Sequence, residues 1–225
     1  MTRWRIEGTL TVREGSALHI GSGEVSEDRG VYERPPDGGV GSPVEVSMVA
    51  ADFDGQPYVP GTSLKGVLRS WLTGRGYEEA VKALFGEPSR AGLATFENAC
   101  LIPDPTWHPQ HVPHWSTERK TGVSTHVAID RKTRSASSGK LYHVEFVPAG
   151  ARFRVQIELE RRPSEQPPPV EALLAALGAF NDPVDPVTLG AGSGDTWGRM
   201  KWDVDKAQKL NDADVKAWLG GLREN

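Results

Sequence analysis

Hydrophobic and polar side chains alternate near the start of the chain. The apolar side chains of this segment share one face: Trp4, Ile6, Leu10 and Val12. A period of two residues predicts a half-buried strand over residues 3–12. The alternation then disappears between residues 13 and 55, where Gly, Pro, Ser and acidic residues dominate. Such a composition predicts a long loop.

Helical spacing first appears after the turn signal Pro60-Gly61. Apolar residues recur there at intervals of three and four: Leu64, Val67, Leu68, Trp71 and Leu72. This spacing predicts a helix with one buried stripe. Thr62 or Ser63 is the expected N-cap, because a hydroxyl can accept a hydrogen bond from the first turn. Similar patterns predict helices over residues 78–85, 170–180 and 206–222.

Further strands are predicted over residues 93–102, 141–147 and 151–160 and near 199–204. Pro148-Ala149-Gly150 predicts a hairpin turn between two of them. The elements follow one another as strand, helix, strand, strand, helix, strand. That order predicts an α+β fold of the ferredoxin-like (RRM-like) kind, with long loop insertions. The open sheet of such a fold commonly binds RNA.

Composition excludes several classes of protein. The 225 residues carry a net charge of −4, the wrong sign for a small domain that binds nucleic acid by bulk charge. Hydrophobic residues make up 37% of the chain and form no run of about 18, which argues against a membrane protein. The single cysteine, Cys100, excludes a disulfide framework and predicts a buried, inert thiol in an apolar strand. A cytoplasmic protein is therefore expected.

The charge is divided unevenly along the chain. Residues 22–54 hold eight acidic and two basic residues, and residues 119–140 have a net charge of +5. Lys65 and Arg69 stand four apart, so they share a helix face. Clustered cations suit backbone phosphates, although a solvated loop face would look the same in sequence.

Two other motifs leave more than one interpretation open. The glycine-rich loop at 189–200 leads into a strand, so it is not a dinucleotide fingerprint. It is either a loop whose backbone approaches a phosphodiester or a flexible packed loop. His108, His111 and His114 recur every three residues, but Pro109 and Pro113 prevent a regular helix. A solvated loop is favoured over a metal site there, and His19 could be a structural turn residue.

Six segments, in order along the chain, resemble the motifs of the RAMP superfamily, and more specifically the repeated backbone subunit of type III CRISPR effector complexes. They are Leu18–Glu24, Pro57–Arg69, Thr95–Leu101, Val127–Thr133, Leu141–Gly150 and Leu189–Arg199. The resemblance implies a single RAMP domain over 1–225 with a ferredoxin-like palm and a thumb hairpin at 103–128, beside the acidic loop at 22–54 that the composition predicts. It also implies copies stacked along a CRISPR RNA that pairs with target RNA, together with other type III effector subunits, and no membrane.

The resemblance further assigns RNA contacts, position by position. Residues expected to hold or lie near the guide or the target are His19, Ser63, Lys65, Arg69, His126, Asp130, Arg131, Lys132, Gly192, Ser193, Gly194 and Arg199.

Many such subunits cleave target RNA with an aspartate of the loop before the first helix. Glu45, 15 residues before Pro60, stands at the expected position instead. Glu45, Asp52 and Asp28 are the candidate acids, and Asp37 is also conceivable. Cleavage would need a bound divalent metal ion, for which Mg²⁺ is the first candidate. Two alternatives stay open. One is a guide-RNA processing endoribonuclease with His19 as general acid or base, and the other is a non-catalytic structural or capping subunit.

Overall fold

A computed structural model describes residues 2–27, 29–33, 35, 37, 39–129, 136–161, 168–191 and 196–210. Its helices are α1 (Gly61–Gly74), α2 (Glu78–Phe85) and α3 (Val170–Gly178), and α3 runs into a 3₁₀ turn at Ala179–Asn181. α2 and α3 begin at their predicted positions, and α1 begins at Gly61, before the predicted N-cap Thr62 or Ser63. Leu64, Leu68 and Leu72 form the buried stripe of α1, as their spacing predicts.

The strands are numbered in chain order. They are β1 (Thr2–Val12), β2 (Ala17–Leu18), β3 (Gly21–Ser26), β4 (Tyr32–Glu33), β5 (Ser42–Pro43), β6 (Val46–Val49), β7 (Tyr58–Val59), β8 (Gly86–Glu87), β9 (Arg90–Ala91), β10 (Ala94–Phe96), β11 (Ala99–Leu101), β12 (Gly122–Ile129), β13 (Ala136–Pro148), β14 (Arg152–Arg161) and β15 (Met200–Leu210).

The large sheet has the strand order β15-β1-β14-β11-β7, and β10 also pairs with β14. All of these pairs are antiparallel. One face is closed by the three helices over a continuous core that includes Ile6, Leu10, Phe153 and Ile157. The opposite face of β1 and β14 carries cross-strand ion pairs, such as Arg5 to Glu158 at 2.7 Å.

The second sheet has the order β12-β13-β6-β3, with β2 added at the end of β13. β12 and β13 form a hairpin, and β6 pairs in parallel with β13 through His143↔Val46. A smaller core lies on one face of this sheet and consists of Val31, Val46, Met48 and Val123. The protein therefore holds a helix-covered sheet and a second sheet built largely from the predicted loop regions.

The structure corrects four sequence-based expectations. The acidic segment 22–54 is not one long loop, because β3 pairs with β6, β4 pairs with β5, and β6 also pairs with the distant strand β13. The regular hairpin is β12–β13, so only residues 122–128 of the segment 103–128 belong to it, and residues 103–121 form no helix or strand. Pro148-Ala149-Gly150 is not a hairpin turn, because β13 and β14 belong to different sheets.

The fourth correction concerns the C-terminal helix predicted over 206–222. Residues 206–210 continue β15, which pairs with β1 as far as Arg3↔Leu210. A long ladder to a neighbouring strand overrides the local helical pattern. Residues 211–222 lie outside the described part of the chain.

Cys100 is also not buried. It is exposed on β11, opposite Arg154 and Tyr58. Its neighbour Ala99 is the residue that points into the core, because successive side chains of a strand face opposite sides.

Candidate nucleic-acid interface

The predicted phosphate-binding residues of α1 lie on its accessible side. Arg69 is exposed, and Ser63 and Lys65 are half-buried. Neither Lys65 nor Arg69 forms an ion pair with any residue that the structure describes. Both cations are therefore available to an anionic ligand.

The start of α1 is capped from another segment. Neither Thr62 nor Ser63 caps it through its side chain, which corrects the sequence-based expectation. The N–H of Gly61 instead donates to Oδ1 of Asn98, at 3.0 Å. This N–H group is used within the protein, and a phosphate would have to bind through other groups.

A buried carboxylate organises the second sheet. Both oxygens of Glu145 on β13 accept hydrogen bonds: Oε1 from Arg119 Nε (2.8 Å) and Thr121 Oγ1 (2.6 Å), and Oε2 from Arg119 Nη2 (2.9 Å) and Val49 N (3.0 Å). Arg29 Nε lies 3.1 Å from Oε1 without hydrogen-bond alignment. We call these five residues the Glu145 network. Arg119 is one of the cations of the basic segment 119–140, and its guanidinium group is already paired with Glu145.

The Glu145 network perturbs the pKa values of its members. Burial raises the pKa of Glu145, but the hydrogen bonds from Arg119, Thr121 and Val49 outweigh it, and the pKa lies below its ordinary value. The hydrogen bond to Glu145 raises the pKa of Arg119. Burial lowers the pKa of Arg29, against the opposing attraction of Glu145. The network is thus ionised and holds three separate segments on one strand.

His19 is buried and is fixed by the same strand. Its Nδ1 lies 2.7 Å from the main-chain oxygen of Glu145. A carbonyl oxygen only accepts, so Nδ1 carries the proton, and Nε2 is an acceptor in the neutral ring. His19 is therefore a structurally held ring, and not merely a turn residue at the end of a strand.

The two ends of the glycine-rich loop, residues 190–191 and 197–199, form a neck that is hydrogen-bonded to residues 17–19. The main-chain N–H of Ala191 donates to the oxygen of His19 (2.9 Å), and that of Gly198 donates to Ala17 (2.7 Å). Gly190 has φ +78°, and a side chain there would overlap the oxygen of His19. Arg199, at the end of the neck, is exposed.

One cavity, of about 310 Å³, lies between the glycine loop and the second sheet. Its walls are His19, Ser47, His126, Tyr142, Val144, Ala191 and Trp197. We call it the aromatic cavity. It lies on the face of β13 opposite the Glu145 carboxylate, because residues 142 and 144 alternate with residue 145. The structure thus brings together His19, His126 and the glycine loop, three features that are far apart in sequence.

A second cavity, of about 550 Å³, is bordered by Gly21, Ser22, Glu24, Asp52, Tyr58, Pro60 and Arg119, together with residues 48–51. We call it the polar cavity. Of the candidate acids that the structure describes, Asp52 alone lines it, and Glu24 adds a second carboxylate. Glu45 is exposed at the start of β6 and does not line it.

Asp52 also shapes its own turn. Its Oδ1 accepts hydrogen bonds from the main-chain N–H groups of Asp54 (3.0 Å) and Gln56 (2.8 Å). Asp37 likewise accepts from the N–H of Gly39 and is exposed. Among the described residues, no group of three or more His, Cys, Asp or Glu converges as a metal site. One or two carboxylates such as Asp52 and Glu24 suit Mg²⁺ only with waters and phosphate oxygens as further ligands.

Several predicted site residues lie outside the described part of the chain. They are Asp28, Asp130, Arg131, Lys132, Gly192, Ser193 and Gly194. His108, His111 and His114 are described, and all three are exposed in the irregular segment before β12.

Sequence reasoning missed Glu145, Tyr142 and Trp197. Glu145 could have been found as the only acid in the apolar run 141–147, since a charged residue in a buried strand needs a partner. Trp197 is the only aromatic residue of the glycine-rich segment 189–200. No local signal links either of them to His126.

Comparison with known proteins gives the family. The sequence matches the RAMP superfamily over residues 14–201, and the chain belongs to that superfamily. Its fold is similar to a chain in "Cryo-EM structure of the Type III-B Cmr-beta bound to cognate target RNA". The TM-score is 0.57 at 17% identity, over 93% of this chain and 61% of that chain.

The present chain thus spans less than two thirds of that structural relative. A search of curated proteins finds no match. Of the helices described, none is both long enough and apolar enough to cross a membrane.

Proposed function

We propose that this RAMP protein is an RNA-binding backbone subunit of a type III CRISPR interference complex. The observation that carries the proposal is the fold match, over 93% of the chain, to a subunit of a type III-B complex bound to target RNA. Its partners would be a CRISPR RNA, target RNA, further copies of itself and other type III subunits, in the cytoplasm.

The proposal includes a ferredoxin-like palm and a single domain over 1–225. The order β1, α1, β10/β11, β14, α3, β15 supports the palm, because these strands form one antiparallel sheet with helices on one face. The thumb assigned to 103–128 remains part of the proposal. The first strand of the hairpin β12–β13, Gly122–Ile129, begins within that segment.

Three cations that form no ion pair with a described residue are the proposed phosphate contacts. Lys65 and Arg69 stand one helical turn apart on α1, and Arg199 lies at the neck of the glycine loop. Each phosphate contact to a single strand contributes about 0.7 to the salt dependence of binding. Binding would thus rest on local positive surface despite the overall charge of −4.

The RNA-binding proposal is tested by purifying the subunit from its expressed operon. Lys65→Glu with Arg69→Glu should strip short RNA from the complex and lower the salt-dependence slope by about 1.4. The matched control reverses Lys82 and Lys201, which are exposed and paired with Glu79 and Asp203. Equal RNA retention by both double variants would contradict the proposal. Native mass spectrometry then counts the copies, and a single copy per complex would indicate a capping subunit.

Target-RNA cleavage is proposed with Asp52 as the leading acid, because it lines the polar cavity. Bound Mg²⁺ would supply charge neutralisation at the scissile phosphate. Asp52 would orient the ion or the attacking 2′-hydroxyl group.

Asp52→Asn is a clean test because an asparagine oxygen can still accept both turn hydrogen bonds. We expect loss of cutting with unchanged target binding, whereas Glu45→Gln should have little effect. Cutting that survives both substitutions would place the acid elsewhere.

A guide-RNA processing endoribonuclease is the second candidate. The fixed tautomer of His19 favours it, because a neutral Nε2 can accept a proton. It predicts cleavage of precursor RNA alone and loss of that activity in His19→Gln. An unprocessed precursor incubated with the wild-type protein distinguishes the two candidates.

A further inference from the structure

The aromatic cavity is lined by the rings of His126, Tyr142 and Trp197. The rings of His126 and Tyr142 are nearly parallel, 5.3 Å apart at 15°. Trp197 stands almost perpendicular to His126, at 5.3 Å and 75°. Phe146 supports Trp197 from behind, at 5.6 Å. By contrast, the open face of β1 and β14 carries charged and polar residues and no aromatic ring among its described side chains.

The side chains that line the aromatic cavity leave one ring half-exposed and one buried nitrogen without a hydrogen-bond partner among the described residues. Tyr142, on the cavity wall, is 51% exposed. The Nε2 of His126 is buried without a hydrogen-bond partner among the described residues. Buried polar atoms are nearly always paired, so this atom points to a missing ligand.

We infer that the aromatic cavity binds one unstacked nucleobase of single-stranded RNA; this inference rests on the proposed function. A base has a flat π-face for Tyr142 and Trp197 and a polar edge for His126. An apolar ligand would leave Nε2 unpaired. The volume of about 310 Å³ is at the small end for ligand sites, which suits one base and not a folded peptide.

The cavity also lies where a strand could enter it. Its rim includes Ala191, at the neck of the glycine-rich loop, and Ser47 on β6. His19, held by Glu145, forms the floor between this cavity and Gly21 at the rim of the polar cavity. A base in the aromatic cavity would therefore fix the register of the RNA relative to the polar cavity. Recognition by stacking tolerates any base, because every base has a π-face.

The test uses the full chain and a short single-stranded RNA in which one abasic nucleotide is moved along the sequence. Base–aromatic stacking predicts that one abasic position weakens binding by about 5- to 150-fold. Tyr142→Leu and Trp197→Leu should weaken binding of the intact RNA by a similar factor. In these variants, binding should no longer depend on the position of the abasic nucleotide. Tyr142→Phe and Trp197→Phe should restore that dependence.

Tyr32→Leu is the matched control, because Tyr32 is 56% exposed on β4 and does not line the cavity. It should leave the dependence on abasic position unchanged. Thermal unfolding shows whether Trp197→Leu is folded, and the half-exposed Tyr142 provides the second, milder variant.

If the wild-type protein binds RNA but no abasic position weakens binding more than the others, the cavity inference is overturned. The proposed function is then unaffected. Equal weakening by Tyr32→Leu also overturns the cavity inference. A wild-type chain that binds no RNA, alone or in its complex, overturns the proposed function itself.

Discussion

Replacing Glu145 with glutamine removes one negative charge and keeps the side-chain shape. Glu145 is fully buried. Its two oxygens accept four hydrogen bonds, two from Arg119, one from Thr121 and one from Val49. The amide NH₂ of a glutamine must replace one of these oxygens. In either orientation it faces a guanidinium N–H and one further donor.

The expected loss follows from that geometry. At least one arginine hydrogen bond is broken, and both Arg119 and Arg29 stay partly buried without the carboxylate that pairs with them. Breaking a buried ion pair by removing one partner costs about 3–5 kcal/mol. For a chain of this size, that corresponds to a fall in melting temperature of about 6–20 °C.

Urea and thermal unfolding of the two proteins measure the change. Glu160→Gln is the matched control, because Glu160 also pairs with an arginine, Arg3 at 3.5 Å, but its side chain is 44% exposed. An exposed pair contributes less than about 1 kcal/mol. A loss below about 1 kcal/mol for Glu145→Gln would refute the view that this carboxylate organises the second sheet.

The pH dependence provides an independent check. The pKa of Glu145 is below its ordinary value of 4.5 in the folded protein. Its stabilisation is therefore fully present above pH 4.5 and is lost as the pH falls through the lower folded pKa. The difference in unfolding free energy between wild type and Glu145→Gln should shrink in that window. A difference that stays constant would indicate that the charge is not responsible.

Three smaller outcomes are expected. Asn98→Ala should cost about 0.5–2 kcal/mol in urea unfolding, because the Gly61 N–H at the start of α1 loses its acceptor. Gly190→Ala should lower the melting temperature, since its φ is +78° and a side chain there overlaps main chain, whereas Gly178→Ala meets nothing within 4 Å and should not. Cys100 should react fully with a thiol reagent in the native protein, and a protected thiol would contradict its exposure.

Local patterns in the sequence predicted the three helices and the strands β1 and β14. The period-two segment gave β1, and the three-and-four spacing gave α1 and α3, because each buries one face and its neighbours in sequence form that face. The ordered motifs were also sufficient to indicate the RAMP superfamily. His19, His126 and the glycine loop were recognised singly, each without a stated partner.

Only the tertiary structure decided what those residues contact. The short strands β3 and β6 carry little periodicity, and β6 pairs with residues about one hundred positions away, at His143↔Val46. Glu145 binds groups contributed by three distant segments, and the aromatic cavity joins β12, β13 and the glycine loop. Hydrogen bonding, ion pairing and ring packing depend on distances that exist only after the chain has folded. The sequence therefore supplied the candidate residues, and long-range pairing selected which of them form a site.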